Sequence, residues 1–537
     1  MKSLLLSLFI FTNTLFAFTS EDITLQWLEK QPTSYTKDFY IWQYLDKNIS
    51  PKESEIALSQ VKRLNNKILY RYMNKSKDIN LLDYKNCMRS KTKDLLSKEA
   101  YCIEAGLSIY DATTLSKKDL DKVIKKLKNE YPKFVQNLEF IKTKMSFENL
   151  IKADKDIFLN VFNQSGKKYR RTHLNDYFSS KLLLKLKDDK KFAQTIKLIV
   201  TDLKMRKAQI SLLKLSPERL DFNSVFHLAI NAIRHKKEDL ALVYLEDAFK
   251  KAYYQMQKDN ITFWQYQLTE DKKYLEVLSN SWDVNIYSLF AREILNKGHS
   301  NIILGTAHTK EKLTNFNLNN PFGWIKILDE SKKMTDEKLT NYENIFTTEE
   351  TSGHLAFLKE RYYKYKKSYF VTPYEKYLED ISKDRKSLLY ALGRQESRFI
   401  PTSISSSYAM GVMQIMPFLS KAIAKELKEP YNIFDQFNAK VNLRYANHHL
   451  NYLKRKLNHP LYIAYAYNGG IGFTTRLLKT KLFKKGKYEP YLSMELLPYN
   501  ETKKYGKKVL ANYFIYYNYF NANNQIKFSK IIENIKN

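Results

Sequence analysis

Helix breakers are scarce in this chain, which has 13 glycines and 12 prolines in 537 residues, whereas the two together make up about 12% of an average protein. With so little punctuation, and with Leu, Lys, Glu, Ile and Tyr abundant, helix is favoured nearly throughout and an all-α fold is expected. Cysteine is rarer still, with only Cys87 and Cys102. No His/Cys spacing suits a metal, because the tandem pair His448-His449 would diverge on a helix. Neither a metal nor a cofactor is expected. After residue 17 no apolar run approaches the roughly 20 residues that a membrane span requires. Acidic residues are in deficit too, 57 Asp and Glu against 90 Lys and Arg, for a formal charge of +33.

Such a balance points first to nucleic acid. Lys is nevertheless spread along the whole chain, and Lys, Asn, Ile and Tyr are enriched together, as an AT-rich coding bias would also produce. The amino end adds a second argument. Met1-Lys2, the apolar stretch Ser3 to Phe11 and the small residue Ala17 describe a secretory signal peptide over 1–17. Export without a transmembrane anchor is therefore expected, and no nucleic-acid partner. In an oxidising compartment Cys87 and Cys102, 15 positions apart, either join the ends of a helical hairpin or remain two buried thiols. The closure would be worth about 3 kcal/mol in chain-entropy terms.

The length predicts about two or three domains. From 18 to 305 the pattern is a series of helices with short polar breaks. Val225, Phe226, Ala229, Ile230 and Ile233 form one stripe, His235-Lys236-Lys237 is a break, and Leu242, Leu245, Ala248, Phe249 and Ala252 form the next. Successive amphipathic pairs suggest an α-solenoid without a strict repeat. The texture changes over 306–372, with the turn-rich Asn317 to Trp324. From Pro373 onward punctuation thickens, and 7 of the 12 prolines and 7 of the 13 glycines fall in 373–537. Loops on a rigid scaffold carry function, so chemistry is expected there. The polar tail from Asn521 is expected to fray.

Within that last third, Ala391-Leu-Gly-Arg-Gln-Glu396-Ser-Arg sets one acid at the end of an apolar run (Leu388, Leu389, Leu392). Pro401 and a Ser-rich turn follow, then Met410-Gly-Val-Met-Gln-Ile-Met416-Pro. An acid held against apolar neighbours resists ionisation, as a general acid near neutral pH requires. Two further blocks come later, Ala464-Tyr-Ala-Tyr467-Asn468-Gly-Gly and Glu495-Leu-Leu-Pro-Tyr-Asn-Glu-Thr502, the last running into Lys503-Lys-Tyr-Gly-Lys-Lys. Glycoside hydrolysis commonly uses two carboxyl groups. Between Glu396 and Tyr467 the others are Glu426, Glu429 and Asp435, which read as solvated or turn residues, so a single-acid mechanism is favoured.

The four blocks, in this order, resemble the signature of the lytic transglycosylases with a lysozyme-like catalytic domain. The resemblance implies a curved or ring-shaped superhelix at 18–305, a small helical linker domain at 306–372 and the catalytic domain at 373–537. It implies a periplasmic enzyme that cleaves the MurNAc–GlcNAc bond of peptidoglycan without water. Glu396 would protonate the linking oxygen and then take the proton of the muramoyl C6 hydroxyl, which closes a 1,6-anhydro ring. By the same resemblance Ser405 orients the acetamido group, Gln414 binds substrate and Met416 lines the cleft. Tyr467 would bond the carboxylate or substrate, Asn468 would hold its turn, and Glu495 would contact sugar or peptide. The implied partners are peptidoglycan glycan strands and other cell-wall enzymes, and a monomer is expected. The carboxylates of the wall's stem peptides would draw a basic protein.

One departure is Tyr408, where the family has glycine; it is expected to narrow a subsite or offer a ring to a sugar. The competing readings are a goose-lysozyme-like muramidase that delivers water to C1, and a non-catalytic helical scaffold that binds glycan.

Overall fold

The computed structural model describes residues 18–142, 147, 151–305 and 316–535; the signal-peptide segment 1–17 lies outside them. Among the described residues the fold is all-α apart from one small parallel pair, in which Ile302, Ile303 and Leu304 face Ser368, Tyr369 and Phe370. That pair brings the two ends of the 306–372 segment side by side. No helix among the described residues is long and apolar enough to cross a membrane.

The 18–305 region is built from successive helical hairpins, typified by Phe222–Arg234, Glu238–Lys251, Gln255–Thr269, Lys272–Ser279 and Ile286–Ile294, each packed on the next. Asp221 caps the first of these through the Ser224 N–H, which satisfies an otherwise orphaned donor. Its expected stripe is buried in full. Lys236, with φ of 57°, makes the break. The second stripe is rotated from expectation. Ala241, Tyr244, Leu245 and Ala248 are buried, while Phe249 is 40% exposed. Tyr244 decides the rotation, because its hydroxyl donates to the Leu215 carbonyl at 2.7 Å and the two alanines let the backbones approach. Cys87 and Cys102 are joined in a disulfide that links the helices Ile79–Arg89 and Ala100–Gly106.

The chain closes on itself at two seams. At one, Phe39 and Tyr40 of the helix Tyr35–Tyr44 share an apolar cluster with Phe322, Tyr408, Met410, Phe434 and Phe437. At the other, Phe263 and Phe290 pack on Tyr491 at 4.5 and 6.0 Å between ring centroids. Against expectation, the described part of the tail packs on the rest of the chain. Phe528 is fully buried, and the Glu293 carboxylate accepts from the N–H groups of Phe528 and Ser529. His459 Nε2 lies 3.0 Å from the Ile531 carbonyl.

Candidate active site

Glu396 ends the acid helix Lys383–Glu396, whose N-cap Ser382 accepts from Arg385 N–H. Leu388, Leu389 and Leu392 are buried, which fixes the helix's rotation. The chain then turns through Arg398 and Phe399 with φ of 57° and 64°, a conformation that non-glycine residues adopt at a cost. Ser397 secures this turn by donating to the Val412 carbonyl at 2.7 Å and accepting from Ile400 N–H at 3.2 Å. Gly411, at φ of 80°, brings the second block against its neighbours. A Cβ there would lie 2.2 Å from the Gln436 carbonyl oxygen.

Burial around the Glu396 carboxyl raises its pKa to about 7, and the negative charge of Glu501 adds to the effect. A hydrogen bond opposes them. Tyr505, on the closing helix Asn500–Phe520, donates to Glu396 Oε1 at 2.6 Å. The same helix crosses Pro460–Gly469 at Gly506, where a Cβ would meet the Tyr465 ring at 2.2 Å. Only a glycine lets the two helices come this close, and the approach sets Tyr505 over the acid.

The other expected residues fall into two groups. Close to the acid, Tyr467 donates to the Met413 carbonyl at 2.8 Å and so braces the second block; the bond to the carboxylate expected of it is made by Tyr505. Asn468 donates to Glu501 at 3.2 Å and accepts from the Thr502 hydroxyl at 2.8 Å, which ties its turn to the closing helix. Gln414 gives its side-chain N–H groups to the Ser403 and Gly411 carbonyls, both at 3.0 Å. Ser405 Oγ accepts from the Ala409 and Ser407 N–H groups at 2.9 and 3.3 Å, bonds that leave its own proton uncommitted. Met416 is the half-buried N-cap of the helix Pro417–Leu427.

Two residues serve the seams instead. Tyr408 has no exposed surface. It stacks on Trp42 with centroids 5.3 Å apart, and its hydroxyl accepts from Asn65 at 2.8 Å. It therefore offers no ring to a sugar, because the amino-terminal helices cover it. Glu495 is 2% exposed. It pairs with Lys507 and with Lys503 and accepts from Tyr287 at 3.0 Å. Burial alone would raise its pKa, but the two ammonium groups hold it well below the usual range. Its carboxylate braces the solenoid instead of standing free for sugar.

The remaining carboxyls are engaged elsewhere. Glu426 meets His448 at 2.8 Å, Glu429 is held by Arg444 in a two-pronged contact, and Asp435 lies in the turn before the helix Ala439–Lys454. Tyr505 and Glu501 escaped the sequence reading. The sole signal for them was their place in the Asn-Glu-Thr-Lys-Lys-Tyr run that opens the closing helix.

Between the solenoid and the closing helix lies a chamber of about 610 Å³. Phe222, Phe226 and Trp282 line one side, and Arg398, Lys503, Lys504, Lys507 and Lys508 outnumber Asp283 and Glu495 on its lining. Among the described residues no group of His, Cys, Asp or Glu could hold a metal ion.

A single acid at the end of its helix, kept from ionising by burial and held by the Tyr505 hydroxyl, has the properties of a general acid. Residues 373–489, about a fifth of the chain, match the family model described as Transglycosylase SLT domain. The soluble lytic murein transglycosylase of Escherichia coli K12 is 32% identical over 137 residues, 25% of this chain and 21% of that protein. A Haemophilus influenzae protein provisionally given the same name is 33% identical over 147 residues, 27% of this chain and 24% of its own length. The match thus spans about a quarter of these relatives. Among solved structures, the 70 kDa soluble lytic transglycosylase of E. coli overlaps 92% of this chain and 82% of its own, at 15% identity and a TM-score of 0.48. An inactive mutant of the Pseudomonas aeruginosa lytic transglycosylase Slt overlaps 94% and 88%, at 14% identity and a TM-score of 0.45.

Proposed function

We propose that this chain is a periplasmic lytic transglycosylase that cleaves the MurNAc-β-1,4-GlcNAc bond of peptidoglycan and leaves 1,6-anhydroMurNAc ends. The observation that carries this reading is the state of Glu396, a carboxyl that burial keeps about half protonated near neutral pH and that Tyr505 orients. The protonated carboxyl gives its proton to the glycosidic oxygen as the C1–O bond breaks, and GlcNAc departs as an alcohol. The substrate's 2-acetamido oxygen supports the positive charge that develops at C1. Glu396, now a carboxylate, takes the proton of the C6 hydroxyl as that oxygen bonds to C1, which restores the starting acid. Proton transfer from one positioned group contributes roughly 10²–10⁴-fold, and orientation and water exclusion supply the rest.

The same reading divides the chain into a superhelical domain at 18–305, a linker domain at 306–372 and a lysozyme-like catalytic domain at 373–537, acting as a monomer. Ser405, with its free proton, would orient the acetamido group, and Gln414 and Met416 would border the cleft. The excess of cations in the chamber suits the carboxylates of the wall's stem peptides.

Mass spectrometry of digested sacculi tests the chemistry. Anhydro-ended muropeptides are expected from the parent, and essentially none from Glu396→Gln, which should still fold and bind sacculi. Reducing-ended products would establish the water-delivering muramidase instead. Undiminished release by Glu396→Gln would remove Glu396 from the reaction.

A further inference from the structure

We propose that Glu360 is a positioning residue for this chemistry: from the helix Ser352–Tyr362 it grips the two arginines that bracket Glu396 and so fixes the end of the acid helix. The inference rests on the reading of Glu396 given above.

Glu360 is 3% exposed. Its Oε1 accepts from Arg394 Nη2 at 2.5 Å and from the Tyr369 N–H at 3.1 Å, and its Oε2 lies 3.0 Å from Arg398 Nη2. Arg394 stands two residues before the acid and Arg398 two after. Residues two apart on a helix point about 200° apart, so the Arg394 guanidinium holds the back of the helix end while the carboxyl faces Tyr505. Glu360 therefore touches no reacting group.

The grip extends to the acid's partner. Arg394 also donates to the Tyr369 carbonyl at 3.1 Å and to Asn512 Oδ1 at 3.2 Å, and Asn512 donates to the Ala391 carbonyl at 3.2 Å. Asn512 lies seven residues after Tyr505 on the closing helix, two turns further along the same face. One carboxylate thus ties together the linker helix, the strand Ser368–Phe370, the acid helix and the helix that supplies the acid's hydrogen bond. The linker helix also sits directly on the turn after the acid, where a Cβ on Gly353 would lie 2.3 Å from the Arg398 carbonyl oxygen. The left-handed residues Arg398 and Phe399 are held in place by these contacts. Replacing Glu360 with an amide would leave the buried Arg394 and the half-buried Arg398 facing a neutral partner, and the turn would be free to relax.

A displacement of about 1 Å at a reacting group costs about a hundredfold in rate. In the full chain, Glu360→Gln is expected to lower kcat for muropeptide release about a hundredfold, with KM and sacculus binding unchanged and melting still cooperative above the assay temperature. Glu360→Asp, which keeps the charge, should recover at least about a tenth of the parent kcat. The pH profile provides a readout that lost stability alone would not move. Tyr505, Tyr467 and Glu501 face the acid, and a loosened helix end admits water among them, so the alkaline limb of kcat should shift to lower pH.

A Glu360→Gln enzyme with kcat within about threefold of the parent, or with loss that only tracks its folded fraction, would overturn the proposal. If Glu360→Gln does not fold, Arg398→Gln replaces it with kcat alone as the readout, because Arg398 also lines the chamber: the same kcat loss supports the grip, and a parent kcat refutes it. Glu396→Gln is assayed alongside. Release by that variant would refute the reading of the acid, whereas an inactive Glu396→Gln beside a parent-like Glu360→Gln would refute the grip alone.

Discussion

At the scale of single residues, the site is a contest over one proton. Burial and the charge of Glu501 hold the Glu396 proton on, and the Tyr505 hydrogen bond, which favours the carboxylate, works against them. Tyr505→Phe removes the opposing influence, so the acid's pKa should rise further and the alkaline limb of activity should move to higher pH. kcat should fall about tenfold through lost orientation; a pH–rate profile of the variant checks both. The same proton affects stability. In the unfolded chain Glu396 ionises near its ordinary 4.5, but in the fold only near 7. Between those values the unfolded state sheds a proton that the folded state keeps, so stability drains as pH rises. Glu396→Gln should therefore melt above the parent at pH 8 and level with it at pH 4. Equal melting temperatures at both pH values would show that the carboxyl is not strained by burial.

At the scale of helices, periodicity and punctuation made much legible. The acid at the end of its apolar run, the stripe over 225–233 and the break at Lys236 all follow from local pattern. What could not be read depends on neighbours far away in the chain. Tyr408 is bonded to Asn65, 343 positions distant, and Glu495 to Tyr287, 208 positions distant. Neither partner announces itself in a local window, so a residue spent on a seam looks like one offered to a ligand. Tyr505 was hidden differently, among the four lysines of 503–508, where a basic, solvated face is the natural reading. The Tyr408 seam can be tested directly. Tyr408→Ala should loosen the amino-terminal helices by about 3–5 kcal/mol, the usual loss for a fully buried aromatic ring. Tyr408→Phe should cost only about 1–2 kcal/mol, for the bonds that its hydroxyl makes with Asn65 and the Asp38 carbonyl. Limited proteolysis should then cut within residues 18–75 of the alanine variant well before the parent. Identical cleavage rates would mean that the seam contributes nothing to holding that segment.

At the scale of the whole molecule, two seams join the row of helical hairpins to the carboxy-terminal helices, and a basic chamber lies between the hairpins and the closing helix. A net charge of +33 predicts that sacculus binding weakens with salt, but a uniformly basic surface and a focused chamber predict different mutational responses. Charges with low-dielectric walls on several sides concentrate potential more than charges spread over an open face. Lys504 and Lys508 are exposed chamber residues, and Lys117 and Lys118 are exposed on the helix Lys117–Leu127, away from the chamber's lining. Reversing either pair to Glu changes the net charge equally. If the chamber receives the wall's carboxylates, Lys504→Glu with Lys508→Glu should weaken binding at about 20 mM salt at least tenfold more than Lys117→Glu with Lys118→Glu. The gap should narrow at about 500 mM, where screening reduces the reach of a charge to a few ångströms. Sedimentation of each variant with purified sacculi across that salt range measures it. Equal losses for the two pairs at every salt concentration would show that attraction to the wall depends on total charge and that the chamber has no special part in it.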